Sequence, residues 1–356
     1  MTTIEDANYA LSKILDAGSK KNVIELEWIK NVRVIIPRAI VTLSLPSFAN
    51  SQRDRIVEEL RKTLLNFEDI DDVQIELDNN PPKEESKTEG NVPDLQSVEG
   101  IKHIIAVSSG KGGVGKSTIA VNIACSLAKL GLKTGLLDAD IYGPNTPSML
   151  GVSEENPKVT GGSGNDQRLI PIKKYGISLV SMGFLIEEGQ PVIWRGPMLN
   201  SIIRQFLYQV EWNNLDFLVI DLPPGTGDAQ ISLAQSVPIS GAIVVTTPQQ
   251  VSLQDARRGL AMFKQLGVPL LGIVENMSAF IPPDMPNKKY EIFGKGGGKI
   301  LAEENDLQLL AQIPIEIPVV DDSNKGMPIS ISQPNKESSI KFNKLAKLIK
   351  NKFVDS

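Results

Sequence analysis

The feature that most narrows what this chain can fold into is a glycine-rich loop set between an apolar run and a helical one. Ile104-Ile105-Ala106-Val107 reads as a strand. Gly110-Lys111-Gly112-Gly113-Val114-Gly115-Lys116-Ser117-Thr118 follows, and residues 119–130 then carry apolar side chains at helical spacing. The string fits G-x-x-x-x-G-K-[ST], in the strand, loop and helix context that the pattern requires. Inner glycines let backbone N–H groups turn toward phosphate oxygens with no Cβ in the way, and the helix N-terminus adds partial positive charge. Lys116 is placed to reach the β- and γ-phosphates of a nucleoside triphosphate, and Ser117 to ligate Mg²⁺.

The sequence around this loop predicts an α/β sheet. Short apolar runs at 135–137, 177–180, 217–220, 242–245 and 271–274 alternate with longer helical stretches, as strands of a mostly parallel sheet do when helices cover both faces. Two runs end in acidic clusters, Asp138-Ala139-Asp140 and Asp221-Leu222-Pro223-Pro224-Gly225-Thr226-Gly227-Asp228. Carboxyl ends of parallel strands are where such sheets hold ligands, and a Mg²⁺–triphosphate needs carboxylates for the waters of the metal and for the attacking water. Asp221, after four apolar residues, is predicted to touch the metal through water, with Gly225 and Gly227 leaving the following loop free to move.

Residues 79–91 contain nothing to bury, which predicts a linker over 79–99 between a small α+β module at 1–78 and the nucleotide domain at 100–356. The module reads as a helix at 7–15, strands at 32–36 and 39–45, a helix at 53–65 and a strand at 73–77. Asp plus Glu number 42 against 37 Lys plus Arg, a net charge of −5, which argues against nucleic acid as the main partner. No apolar run approaches the ~18–20 residues of a membrane span, and the first residues lack a basic-then-apolar pattern, so a cytoplasmic protein is expected. One cysteine, Cys125, and one histidine, His103, exclude an intrachain disulfide and a four-ligand Cys/His metal site.

The string from Lys111 to Thr118 resembles the deviant Walker A loop of the MinD/ParA/nitrogenase-iron-protein class. The resemblance implies ATP as the nucleotide, held by Gly110, Lys111, Gly112, Gly113, Val114, Gly115, Lys116, Ser117 and Thr118. It also implies a homodimer in which Lys111 crosses to the partner's nucleotide and stabilises charge as phosphoryl transfer proceeds. By the same similarity Lys111, Lys116 and Asp140 are catalytic, Asp140 orienting the hydrolytic water. Ser117, Asp138 and Asp221 serve the metal, and Asn276 reads adenine beside the 313–318 segment. Ordinary turn preferences leave a turn residue as the lesser alternative for Asn276.

Three longer strings narrow the resemblance. The run from Asp138 through Tyr142 to Pro147, Trp194-Arg195-Gly196-Pro197-Met198, and the run from Asp221 to Asp228 resemble the Mrp/ApbC family of iron–sulfur cluster carrier ATPases, over residues 102–329. The first module is similar to the MIP18-like domain that often precedes this ATPase. Implied are ATP hydrolysis, a bridging [4Fe–4S] cluster, and iron–sulfur assembly or recipient proteins as partners. Members of that family hold the cluster with a C-x-x-C shortly after Glu-Asn-Met-Ser. This chain has Ala279-Phe280-Ile281-Pro282-Pro283-Asp284-Met285-Pro286 there, and Leu45-Pro46-Ser47 where MIP18-like domains often carry a cysteine. Asp284 is a poor substitute for a thiolate. The missing cysteines motivate an alternative, a MinD-like positioning switch that binds a membrane or a partner. The tail at 340–353, with Phe342, Leu345, Ile349 and Phe353 on one face and four lysines beside them, is its second support. A last helix packed on the sheet would show the same pattern.

Overall fold

The structure is a computed structural model that describes residues 2–15, 22–26, 28–43, 53–77, 97–141, 143–161, 167–185 and 196–354. The chain parts into two compact units, Met1–Val92 and Pro93–Ser356. Of the expected linker at 79–99 only 97–99 are described. Tyr142, Trp194, Arg195 and the 45–47 segment also lie outside the described residues.

The first unit contains α1 (Ile4–Leu11), β1 (Ile29–Ile35), β2 (Arg38–Leu43), α2 (Arg53–Leu65) and β3 (Asp72–Leu77). Thr3 starts α1 with a reciprocal cap: its Oγ accepts the Asp6 N–H at 3.1 Å, and the Asp6 carboxylate accepts the Thr3 N–H at 3.0 Å. The strands run in the order β1-β2-β3, antiparallel then parallel. Ile56, Leu60 and Leu64, one turn apart on α2, are wholly buried with Leu11, Val41 and Leu43, forming a core of the unit's own.

The second unit comprises β4 (Ile101–Ser109), α3 (Lys116–Lys129), β5 (Thr134–Asp138), α4 (Thr146–Met149), β6 (Lys158–Thr160), β7 (Arg168–Ile170), β8 (Ile172–Lys174), β9 (Ile177–Ser181), α5 (Gly196–Tyr208), β10 (Leu215–Asp221), α6 (Asp228–Ser236) and β11 (Gly241–Thr246). It continues through α7 (Gln250–Gln265), β12 (Leu270–Phe280), α8 (Gly297–Glu304), β13 (Leu309–Ile315), α9 (Ile317–Asn324), α10 (Ile329–Ser332) and α11 (Glu337–Phe353). Eight strands form one sheet in the order β13-β12-β11-β4-β10-β5-β9-β8, parallel except where β8 turns back along β9. Alternation along β4 shows why both faces are apolar. Ile104 and Ala106 enter a core made with α5, α6, α7 and α8, while Ile105 and Val107 enter another made with α3, α10 and α11.

β4 lies between β10 and β11, so its carboxyl end, where the glycine-rich loop departs, opens at the centre of the sheet edge. On α11, Phe342, Leu345, Ala346 and Ile349 are buried beside α3 and β13, with Lys344 and Lys347 exposed. The face on which the membrane alternative rests is therefore in the core. No helix among the described residues is long and apolar enough to cross a membrane.

Candidate nucleotide site

The loop leaves β4 at Ser109, whose hydroxyl donates to the Lys111 carbonyl at 2.9 Å, and re-enters regular structure at Lys116, the first residue of α3. Gly115 caps that helix at φ +82°, in the left-handed region that glycine tolerates. A Cβ there would also meet the Asn276 amide nitrogen at 2.2 Å. Two strand ends flank the loop: Asp221 at the end of β10 is in register with Asp138 at the end of β5 and with Val107 of β4. The three carboxylates expected from sequence are thereby brought to one place.

Lys116 is only 6% exposed, and its Nζ lies 2.6 Å from Asp221 Oδ1 and 3.2 Å from Asp140 Oδ2. Burial works to lower its pKa, but the carboxylates of Asp221 and Asp140 outweigh burial and raise it, so the ammonium stays charged. Burial pushes Asp221 upward against the pull of Lys116. Asp138, wholly buried, is pushed up to about 7 by burial and by the charge of Asp221, against the hydroxyls of Thr146 and Ser181. Direct contact with Lys116 opposes the rise at Asp221, whereas Asp138, without that contact, is the group raised to about 7.

Asp138 is turned into the protein. Its Oδ1 accepts the Asp140 N–H at 3.2 Å, and its Oδ2 accepts the Thr146 hydroxyl at 2.8 Å, the Thr146 N–H at 3.2 Å and the Ser181 hydroxyl at 2.9 Å. It ties the start of α4 and the end of β9 to the backbone of Asp140, a brace that the metal-shell expectation did not foresee. Asp221 Oδ2, by contrast, is buried with no hydrogen-bond partner, an atom that a metal-bound water would satisfy. No cluster of three or more His, Cys, Asp or Glu among the described residues could hold a metal unaided. The donor set of Ser117 and Asp221 thus fits a Mg²⁺ ion that brings its remaining oxygens from phosphates and water.

Lys116, Ser117 and Asp140 open into a cavity of about 440 Å³, whose lining does not include Asp138, Asp221 or Asn276. Lys111, Lys116, Ser117, Thr118 and Asp140 line one side, and Val319 and Val320 of α9 another. Lys111 is half-buried on this lining, with Gly112 and Gly113 exposed beside it. Asn276 is not in a turn: it lies within β12, 7% exposed, and its Nδ2 donates to the Val114 carbonyl at 2.8 Å, bracing the loop from below. The 313–318 segment divides, its first part ending β13 and Ile317 opening α9. Sequence reading missed Thr146, Ser181 and the α9 wall. A threonine opening a four-residue helix and a serine closing a five-residue strand carry no period from which partners could be inferred.

The single thiol lies elsewhere. Cys125 is on α3, 0% exposed, and burial pushes its pKa up to about 12. Ala279 and Ile281 are buried, and Phe280 exchanges backbone hydrogen bonds of 2.8 and 2.9 Å with Tyr290. Where the resembled family carries its thiolates this chain has none: residues 279–281 run beside Tyr290 and residues 283–286 are exposed.

Residues 100–350 match the family model described as ParA, NUBPL iron-transfer P-loop NTPase. The iron-sulfur cluster carrier protein of Synechocystis is 49% identical over 352 residues, 99% of this chain and 98% of its own. That of Aquifex aeolicus is 50% identical over 255 residues, 71% of this chain and 69% of its own. Among solved structures, the nucleotide-binding protein of Archaeoglobus fulgidus in complex with ADP superposes with a TM-score of 0.56 at 36% identity, covering 64% of this chain and 88% of its own. The Pyrococcus furiosus cell division ATPase MinD shares the fold, with a TM-score of 0.52 at 23% identity over 70% of this chain and 98% of its own. With its glycine-rich loop, its parallel sheet and these relatives, the chain belongs to the NUBPL iron-transfer family of P-loop NTPases.

Proposed function

We propose that the chain binds ATP with Mg²⁺, hydrolyses it to ADP and phosphate as a homodimer, and couples this cycle to iron–sulfur assembly or recipient proteins without holding the cluster on its own thiols. One observation carries the catalytic part: Lys116 ion-pairs with both Asp221 and Asp140 at the mouth of the glycine-rich loop. A triphosphate entering the cavity draws the ammonium onto its β- and γ-oxygens. Asp140 is thereby released from the lysine to accept a hydrogen bond from the attacking water, and Asp138 holds it in place through the Asp140 N–H.

Water attacks the γ-phosphorus, the bond from that phosphorus to the β,γ-bridging oxygen breaks, and the water's proton leaves with inorganic phosphate. Lys116 from the same chain and Lys111 from the partner balance the charge that builds on the bridging oxygen. Ser117, and Asp221 through water, would hold Mg²⁺, which would neutralise phosphate charge. Asn276 and the α9 wall are assigned to the base.

The cluster is cargo, and the side chains present do not suit it. Iron–sulfur clusters are held by thiolates, and one buried thiol per chain offers none at the surface. The relatives' names support iron–sulfur transfer as the setting. The MinD-like alternative keeps only the missing C-x-x-C in its favour. The decisive test is ADP formation by the native chain and by Lys116→Ala. Turnover should fall at least ~100-fold in the variant while the fold, by circular dichroism, is kept. Equal turnover in the two would overturn the hydrolysis reading.

A further inference from the structure

Gln230, on the helix that follows the Asp221–Asp228 loop, has no place in the chemistry above. It is 1% exposed; its Nε2 donates to the hydroxyl of Ser108, itself 1% exposed and next to the end of β4. Its Oε1 is buried without any partner. A buried amide with an unpaired oxygen carries a cost that a leucine facing an alanine at 108 would not incur, so stability of this state does not account for the pair.

The surroundings supply a second position for the side chain. The loop is fastened to three consecutive residues of β4: the Leu222 N–H donates to the Val107 carbonyl at 3.0 Å, Gln230 to Ser108, and the Gly225 N–H to the Ser109 carbonyl at 2.9 Å. Helix α6 begins at Asp228 with Gly227 as its N-cap and has no side-chain cap hydrogen bond. Gln230 is the third helical residue, the spacing at which a Gln or Glu side chain turns back and accepts the N–H of the N-cap residue. One side chain thus has two exclusive uses, holding Ser108 or capping α6 at Gly227. Nothing lies within 4 Å of a Cβ built on Gly225 or Gly227, so the loop has room for the change.

We propose that Gln230 is a two-position positioning residue: it latches α6 to Ser108 in the nucleotide-free chain and caps α6 at Gly227 when a γ-phosphate draws the loop inward. This rests on the hydrolysis reading for its trigger. The motion has a route onward, because Ile203, Phe206 and Leu207 of α5 share a core with Leu233 and Ala234 of α6. The γ-phosphate state would thereby be reported at the far side of the sheet as a shift of α5 and α6.

The test uses the full chain as native protein, Gln230→Leu, Ser108→Ala, Ser108→Thr and the Gln230→Leu/Ser108→Ala double variant. Each is measured for kcat, ADP affinity, and melting temperature with no nucleotide, with ADP, and with a non-hydrolysable ATP analogue. The double variant, which leaves no buried hydroxyl unpaired, should melt no lower than native without nucleotide, and Gln230→Leu should bind ADP within about twofold. It should lose at least about fivefold in kcat and about half of the extra thermal shift that the analogue gives over ADP. Ser108→Ala, which removes the latch and leaves the cap, should keep kcat at or above native and the analogue-over-ADP shift undiminished. In both readouts the double variant should behave as Gln230→Leu alone, and Ser108→Thr, which keeps the hydroxyl, should behave as native. Native kcat together with an undiminished analogue-over-ADP shift in Gln230→Leu overturns the proposal, as does a loss of kcat and of that shift in Ser108→Ala. If Gln230→Leu does not fold, Ser108→Ala and Ser108→Thr decide by the same readouts. A native chain that makes no ADP refutes the hydrolysis reading, while the analogue-over-ADP shift still tests the latch.

Discussion

At Gly110 a single methyl group separates a working loop from a displaced helix. A Cβ built there would lie 2.1 Å from the Asp255 carbonyl carbon and 2.2 Å from its oxygen, both backbone atoms of α7. Neither can yield by rotating a side chain, so α7 would have to move off the sheet and loosen Leu253, Ala256 and Leu260 in the core beneath it. Gly110→Ala should cost about 1–3 kcal/mol, the range for overpacking a close-packed site. Gly112→Ala, with nothing within 4 Å of the new carbon, should melt within a degree or two of native, by the same principle of local space. Equal melting temperatures for the two variants would refute the argument. The motif fixes glycine at 110 and leaves position 112 open, yet only the fold shows that Gly110 is required by a neighbouring helix while Gly112 faces open space. Asp138 gives the same lesson. Its strand-end position was readable, but its role as a brace depends on Thr146 and Ser181, which reach it from eight and forty-three residues away.

Strand and helix positions were legible wherever burial imposes a period. All six apolar runs of the nucleotide domain lie within strands β4, β5, β9, β10, β11 and β12, and the four-residue spacing of Ile56, Leu60 and Leu64 marks α2. Illegible were β6, β7 and β8, three residues each and too short to show a period, and β13, whose half-buried Leu309, Leu310 and Ala311 do not alternate. The last helix was ambiguous for a physical reason: packing on a sheet and lying on a membrane demand the same amphipathic stripe. Its final turn carries a pH response. His103 stacks on Phe353 of α11 at 4.9 Å and on Phe217 at 5.4 Å, between Lys102 and Asp216. Burial lowers its pKa below 6.5, Lys102 adds to the lowering and Asp216 opposes it. Because the folded pKa is the lower one, the unfolded chain takes up the proton first as pH falls. The stability this group contributes is therefore present above 6.5 and lost as pH drops through the folded value. Amide exchange in the last turn of α11 should quicken relative to the rest of the helix between pH 7 and pH 5, and His103→Gln should flatten that difference. An unchanged pH response in the variant would assign it to other groups.

For the whole molecule, the number of thiols decides what the chain can carry. A homodimer contains two cysteines, and a [4Fe–4S] cluster bound through thiolates needs four. Neither Cys125 is available, since each is 0% exposed on the core face of α3. At pH 8 a thiol with a pKa of about 12 is thiolate in only about one molecule in ten thousand. Carboxylates at the surface are hard donors with little preference for iron in a sulfide cluster. Anaerobic reconstitution with iron and sulfide should therefore leave far less than one cluster per dimer, with no charge-transfer absorption, in the native chain and in Cys125→Ser alike. ATP hydrolysis and ATP-dependent dimerisation, followed by light scattering, should be intact in both. A stoichiometric cluster in the native chain would reverse the conclusion, and its loss in Cys125→Ser would require α3 to open on cluster binding. The expected outcome instead divides the labour: a partner brings the thiolates, and this chain supplies the nucleotide-driven motion. Partner binding should then respond to ATP against ADP through the same loop that joins Asp221 to α6.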